Sequence, residues 1–450
     1  MDERSDTVKE QAVRNGSAAY LVEPQIASSE GVPPRYKRTE VGVIPEDWSV
    51  YELREVLSEP PSYGINAAAT QYEESLPAYL RITDIDSEGR FSPDPPVSVN
   101  HKSAHDYFLS PGDLVFARTG ASVGKSYEYN PSDGRLVYAG FLIRVSPDTK
   151  RLDPTFLSNF CRTEHYWNWV RSVCLRSGQP GVNGAEYGSL LVPVPPIKEQ
   201  CAIATALSDA DALIESLDRL IAKKRAIKQA TMQQLLTGQT RLPGFTGEWE
   251  TKRLGEIGTF YKGRGIRRED VRDEGVPCIR YGEIYTRYGD CVAKPESKIP
   301  EFVSNTAFPL QSGDILFAGS GETAEEIGMC VTYLGEQPAF AGGDIVVLRP
   351  NRSIPVYLGR LLNHPTIAQQ KARLGQGDAV VHISARNLAQ IEVHFPDQDE
   401  QLAIATILTD MDTEIEALEH RRDKARQVKQ GMMQQLLTGR VRLVEPGVAV

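Results

Sequence analysis

From Glu199 the chain reads Glu-Gln-x-Ala-Ile-Ala-Thr-x-Leu-x-Asp-x-Asp and runs on to Met232-Gln-Gln-Leu-Leu-Thr-Gly238. The same series returns without a gap from Glu400 to Gly439. A repeat of this length means that one structural unit occurs twice, and any account of the fold must use both copies. The offset, 201 residues, also recurs well outside the block: Trp48 maps on Trp249, Gly112-Asp113 on Gly313-Asp314, Pro154 on Pro355 and Pro195 on Pro396. The unit is therefore a globular module followed by a long helix.

Within each block, apolar residues alternate four and three apart. The first copy has Ile203, Leu207, Ala210, Ile214, Leu217 and Ile221; the second has Ile404, Leu408, Met411, Ile415 and Leu418. That spacing is a coiled-coil seam. It is interrupted where Lys224 and Arg422 fall on seam positions. Each helix begins after its proline, Pro195-Pro196 or Pro396, and stops at Gly238 or Gly439. About 40 residues at about 1.5 Å each make a rod on the order of 60 Å. The simplest closed arrangement packs the two helices against each other, antiparallel, with the modules at opposite ends.

The modules read as sheet-rich. Short apolar runs at Ala78–Ile82, Asp113–Ala117 and Phe141–Val145 have counterparts at Cys278–Tyr281, Asp314–Ala318 and Asp344–Arg349. A helix is expected after Asp153-Pro154 and again near Ser353 and Pro355, with Phe156, Phe160 and Tyr166-Trp167 as core. The expected fold class is α+β: two similar modules separated by two long helices in an antiparallel coiled coil, related by an internal pseudo-twofold repeat. Boundaries are placed at 1–41 (a partly flexible N-terminal extension), 42–196 (module one), 197–240 (central helix), 241–396 (module two), 397–443 (second helix) and 444–450 (tail).

Chemistry-bearing motifs are few. Gly120-Ala-Ser-Val-Gly124-Lys125-Ser126 has three residues between its glycines where a phosphate-binding loop needs four, and a strand rather than a helix follows. Asp94-Pro95-Pro96-Val97 lacks the aromatic residue that would stack on a flipped base. The six cysteines form no Cys-x-x-Cys pair and read as core or incidental thiols. No catalytic, cofactor-binding or metal-ligating set repeats between the modules. No apolar run reaches the ~18 residues of a membrane span, so a cytoplasmic protein is expected.

Side chains suited to nucleic acid do occur at matching places. Arg81 and Asp84 correspond to Arg280 and Glu283, either as a structural salt bridge or as an arginine oriented toward a base edge. The loop Tyr261–Arg268 carries Lys262, Arg264, Arg267 and Arg268, whereas its counterpart, with Tyr63 and Asn66, carries no cation. Arg118, Lys125, Arg176, Gln179 and Asn183 in module one, and Gln376, His382 and Arg386 in module two, complete the DNA-contact candidates. Neither module is basic, however: residues 46–196 hold 13 Lys and Arg against 19 Asp and Glu, and residues 243–397 hold 17 against 20. Partners are therefore expected to supply part of the charge that neutralises phosphate.

The ordering of these parts resembles the specificity subunit of type I restriction–modification systems. The resemblance rests on a module, a Pro-x-x-x-Glu-Gln helix ending Met-Gln-Gln-Leu-Leu-Thr-Gly, a lead-in Leu242-Pro-Gly-Phe-Thr-Gly-Glu-Trp249, and then the second module and helix. A shorter lead-in, Val43-Ile-Pro-Glu-Asp-Trp48, precedes module one. The resemblance implies two target-recognition domains that each read half of a bipartite, asymmetric double-stranded DNA target, with the helix pair fixing the spacer. It also implies docking of methyltransferase (modification) subunits, two of them, and of restriction/translocase subunits. S-adenosylmethionine, ATP and Mg would then belong to those partners, and this chain would be non-catalytic. Spacing and docking would fall to Glu199, Gln200, Ile203, Leu207, Ile214, Leu217, Glu400, Gln401, Ile404, Leu408, Ile415 and Leu418. The alternative is a protein-interaction scaffold, which would have no bipartite DNA preference.

Overall fold

The computed structural model describes residues 32–174, 181–351, 353–377 and 380–444. They fall into two compact units: residues up to Ala212 together with those from Arg426 onward, and Leu213–Ala425. Each unit holds one module and a part of each long helix, α1 (Ile197–Leu235) and α2 (Gln398–Leu436).

In the first unit, strands β1 (Leu57–Tyr63), β3 (Leu114–Ala117), β4 (Ser126–Glu128) and β5 (Leu142–Pro147) form an antiparallel sheet in the order β1-β5-β3-β4. A second sheet places β2 (Ala78–Leu80) between Leu136–Tyr138 and Val97–Val99. Every residue of β3 is buried because the strand has a core on each face. Leu114 and Phe116 point to the helices, with Ile143 and Val145. Val115 and Ala117 point the other way, against Leu80, Leu136 and Leu142. A period of two thus appears in the sequence as an unbroken apolar run.

The second unit repeats this plan with β6 (Gly258–Lys262), β7 (Val276–Ile279), β8 (Ile315–Ala318), β9 (Cys330–Tyr333) and β10 (Ile345–Pro350). The main sheet runs β6-β10-β8-β9 and ends on Cys291–Val292, while β7 belongs to a smaller sheet. Ile315 and Phe317 face one core and Leu316 and Ala318 the other. The repeated Gly-Asp is a turn leading into β3 and β8. Gly112 and Gly313 have φ of 91° and 95°, and the carboxylates of Asp113 and Asp314 accept the N–H of Ser110 and Gln311, each at 2.8 Å. A β-carbon on either glycine would press on Pro154 or Pro355, which is why these residue pairs share one register.

Helices follow both prolines, at Pro154–Phe160 and Pro355–Leu362, but only the first is capped as expected. Asp153 accepts the Phe156 N–H. In the second copy the N-cap is Ile354 rather than Ser353, and Gln401 of α2 accepts both the Ile354 N–H and the Ser353 hydroxyl. The last residues of the N-terminal extension are ordered. Tyr36–Thr39 is a strand paired with Gly42–Pro45, and the Tyr36 hydroxyl donates to the Gly439 carbonyl.

Within each unit the two helix segments run antiparallel. In the first, Ile203 and Leu207 share a core with Leu436 and Leu437, and Lys429 pairs with Asp211 at 2.6 Å. In the second, Ile404 and Leu408 meet Leu235 and Leu236, while Lys228 pairs with Asp412 at 2.5 Å and Lys224 with Glu414 at 2.7 Å. Ile214, Leu217 and Ile415 are buried and Leu418 is half-buried. Lys224 and Arg422, the residues that interrupt the seam, are answered across it by Glu414 and by Asp218 at 3.5 Å. Such pairs add little stability where exposed, but they penalise a shifted register. Among the described residues no helix is long and apolar enough to cross a membrane.

Candidate nucleic-acid interface

In the first unit, the end of β1, the loop after it, the end of β2 and the turn before β5 enclose a groove of about 740 Å³. Four of the expected contact residues line it: Tyr63, Asn66, Arg81 and Arg118. Arg118 lies over the Tyr63 ring at 4.9 Å, and its Nε is buried without a hydrogen-bond partner among the described residues. Arg81 is held along one edge by the buried Asp84 carboxylate, through Nε at 2.9 Å and Nη2 at 2.7 Å, and its Nη2 also reaches the Pro95 carbonyl at 3.2 Å. Hydrogen bonding to Asp84 raises the guanidinium above its ordinary pKa, so it stays charged. Pro95 thus has a structural role in its proline-rich loop.

Phe141, which sequence reasoning treated only as the start of a strand, also lines the groove and is 60% exposed. The sequence carried no local signal for this, since Phe141 opens an apolar run that reads as core. Two other candidates are placed elsewhere. Lys125 donates to the Ile85 carbonyl at 3.1 Å and lies outside the groove lining. Asn183 caps the helix Gly184–Gly188, accepting the Glu186 N–H, so its side-chain oxygen is engaged in the fold. Arg176 and Gln179 lie outside the described residues.

Backbone hydrogen bonds fix the equivalent positions in the second unit. The Gly64 N–H donates to Leu142 as that of Gly263 does to Ile345, Ile65 to Tyr138 as Arg264 to Ala341, and Arg118 to Phe141 as Gly319 to Asp344. Lys262 therefore stands where module one has Tyr63, Gly265 for Asn66, Gly319 for Arg118 and Asp344 for Phe141. Of the five groove side chains Tyr63, Asn66, Arg81, Arg118 and Phe141, only the arginine is kept: Arg280 takes the place of Arg81, its Nε on the buried Glu283 carboxylate at 3.1 Å. Lys262, Arg264, Arg267 and Arg268 are exposed. Arg386 is exposed on a short helix, and His382 is exposed with its ring bonded to the Ser320 hydroxyl at 2.9 Å. Gln376 is exposed opposite His382 in a β-bridge.

The Glu-Gln pairs sit elsewhere, at the joint between each helix and its own module. Gln200 is fully buried. Its side chain accepts the Asp153 N–H at 2.8 Å and donates to the carbonyls of Arg151 and Pro195 at 2.9 and 2.8 Å. Glu199 accepts the Trp48 indole N–H at 3.0 Å and Arg442 at 2.5 and 2.7 Å. In the second unit Gln401 bonds Ser353, Ile354 and the Pro396 carbonyl, and Glu400 holds Arg241 at 2.6 and 2.5 Å. None of the four is more than 1% exposed. Their side chains are spent on fastening helix to module, so a partner has no surface to reach on them. Arg241 and Arg442, which follow the two helices at the same 201-residue offset, are joint residues that sequence reasoning missed.

The sequence matches the type I restriction modification DNA specificity domain twice, over residues 45–223 and 246–427. A putative type I restriction enzyme specificity subunit, MjaX, of Methanocaldococcus jannaschii is 24% identical over 429 residues, covering 91% of this chain and 97% of that one. The EcoKI specificity subunit of Escherichia coli is 23% identical over 308 residues, covering 64% and 65%. In fold the chain is similar to a type I restriction–modification S subunit from M. genitalium, with a TM-score of 0.55 at 17% identity over 86% of this chain and 96% of that one. A chain from a type I R-M system studied for its complex assembly gives a TM-score of 0.51 at 18% identity, covering 88% of this chain and 99% of that one.

Proposed function

The chain belongs to the type I restriction modification DNA specificity family, and from that premise we propose that its two modules read the two halves of an asymmetric, bipartite DNA sequence. It is the sequence-recognising, non-catalytic component of such a system. The observation that carries the proposal is the contrast between what the two copies keep and what they change. The Glu-Gln joints and the turns before β3 and β8 are retained, whereas the groove positions Tyr63, Asn66, Arg118 and Phe141 become Lys262, Gly265, Gly319 and Asp344. Two identical surfaces would read a symmetric target. Two that differ in charge and aromatic character suit an asymmetric one.

The partners are double-stranded DNA together with modification and restriction subunits, two modification subunits being proposed on the strength of the internal repeat. S-adenosylmethionine, ATP and Mg are assigned to those subunits. They also supply the positive charge that neither module has in excess. The test is the adenine-methylation pattern of the host with and without this gene. Loss of one split motif is expected, and an unchanged pattern in a host that expresses the system would refute the proposal.

A further inference from the structure

Resting on that reading, we propose that Arg280 of the second module recognises a guanine, and that the buried Glu283 is the positioning residue that aims it. Both modules place an arginine at the end of the equivalent strand, with an acid three residues on. The carboxylates are buried, Asp84 at 1% and Glu283 at 2% exposure, while the arginine side chains are 29% and 31% exposed. Each acid also accepts its own arginine's backbone N–H, at 2.8 Å for Asp84 and 3.1 Å for Glu283. The stem is thus fixed at two points and the far end of the guanidinium faces outward.

The two arginines differ in which edge remains. Asp84 takes both Nε and Nη2 of Arg81, and the Pro95 carbonyl takes Nη2 again, so the end-on pair of nitrogens is half used. Glu283 bonds the Arg280 guanidinium only through Nε, and its Oε1 also accepts the Ser297 hydroxyl at 2.6 Å. Among the described residues, Nη1 and Nη2 of Arg280 carry no hydrogen bond. Two parallel N–H donors in a fixed plane match the O6 and N7 acceptors of guanine in the major groove. The surroundings agree: an atom placed at the Gly342 β-position would lie 3.4 Å from Ile266 Cβ and 3.7 Å from Arg280 Cγ, so the cation-bearing loop runs beside this arginine. Lys262, Arg264 and Arg268 on that loop can hold phosphate while Arg280 reads a base. Arg81, with one nitrogen to spare, makes a single hydrogen bond and does not select guanine.

The experiment uses the assembled complex with its modification subunits and a DNA library in which each half-site is randomised in turn, methylation being read sequence by sequence at fixed salt. Arg280→Lys keeps the charge and loses the paired donors. It is expected to reduce the preference for guanine at one position of one half-site roughly ten- to a hundredfold, leaving the other half-site unchanged. Glu283→Gln is expected to weaken the same position several-fold and no other, which a general loss of folding would not do. Arg81→Lys is expected to leave every guanine preference intact. If Arg280→Lys lowers methylation of all sequences alike, or alters no position, the assignment is overturned. A wild-type complex with no sequence preference at all would sink the DNA-reading function itself, a distinguishable outcome.

Discussion

Replacing Gln200 by leucine separates a joint from a docking surface. The side chain makes three hydrogen bonds in a fully buried setting, to the Asp153 N–H and to the carbonyls of Arg151 and Pro195. Leucine is similar in size but leaves all three backbone groups without that partner. At about 0.5–1.5 kcal/mol net for each bond, the loss is on the order of 2–4 kcal/mol. For a unit of this size each kcal/mol shifts the melting temperature by about 2–4 °C, so a fall of roughly 5–15 °C is expected by scanning calorimetry of the isolated chain. Gln200→Glu sharpens the test: it keeps an acceptor for Asp153 but turns oxygen toward both carbonyls, and should destabilise at least as much at neutral pH. A shift under about 2 °C for Gln200→Leu, accompanied by weaker binding of the modification subunit, would refute the reasoning and restore Gln200 to the docking surface.

Further outcomes follow from other parts of the structure. In Gly263→Ala the new β-carbon would sit well inside van der Waals contact distance of the Gly342 carbonyl oxygen; destabilisation of about 1–3 kcal/mol is expected in chemical denaturation, and an unchanged midpoint would contradict the close strand approach. The buried His364 ring bonds Gln233 through Nε2 and Thr366 through Nδ1, and burial lowers its pKa. Because the unfolded chain then takes up the proton first, stability should fall as pH drops through about 6.5, the unfolded histidine value. His364→Gln should flatten that part of the melting-temperature profile, and equal slopes for the two proteins between about pH 7.5 and 5.5 would count against it. Removing Lys262, Arg264 and Arg268 singly should reduce the slope of log affinity against log salt by about 0.9 for each phosphate that is no longer neutralised. A slope insensitive to all three would take the basic loop off the DNA.

Much of the fold was legible because it is written in local terms. The paired residues 201 positions apart mark turns and joints whose backbone geometry restricts the choice of residue: Gly112 and Gly313 at positive φ against their prolines, and Gly238 and Gly439 at φ of 71° and 68°, where the helices end. The interface was only partly legible. Tyr63, Asn66, Arg81 and Arg118 were picked out as candidates by residue type, yet nothing local said that they share one groove with Phe141, since separate segments of the chain contribute to it. Lys125 and Asn183 were chosen on the same chemistry and turn out to be occupied by a carbonyl and a helix N-terminus. Residue type states what a side chain can bond, and only the surrounding chain states whether that capacity is already used.

The sequence by itself determined the duplication, the helix seams and the strand positions, because periodicity and spacing survive in one dimension, and its repeated motifs carried the resemblance to the family. The tertiary structure decided what the most repeated residues are for. Glu199, Gln200, Glu400 and Gln401 look like a surface motif, but they are buried because main-chain groups at the end of each module need partners that no neighbour in sequence can provide. It also decided which edge of each arginine remains open, since that depends on carbonyls and carboxylates brought in from distant turns.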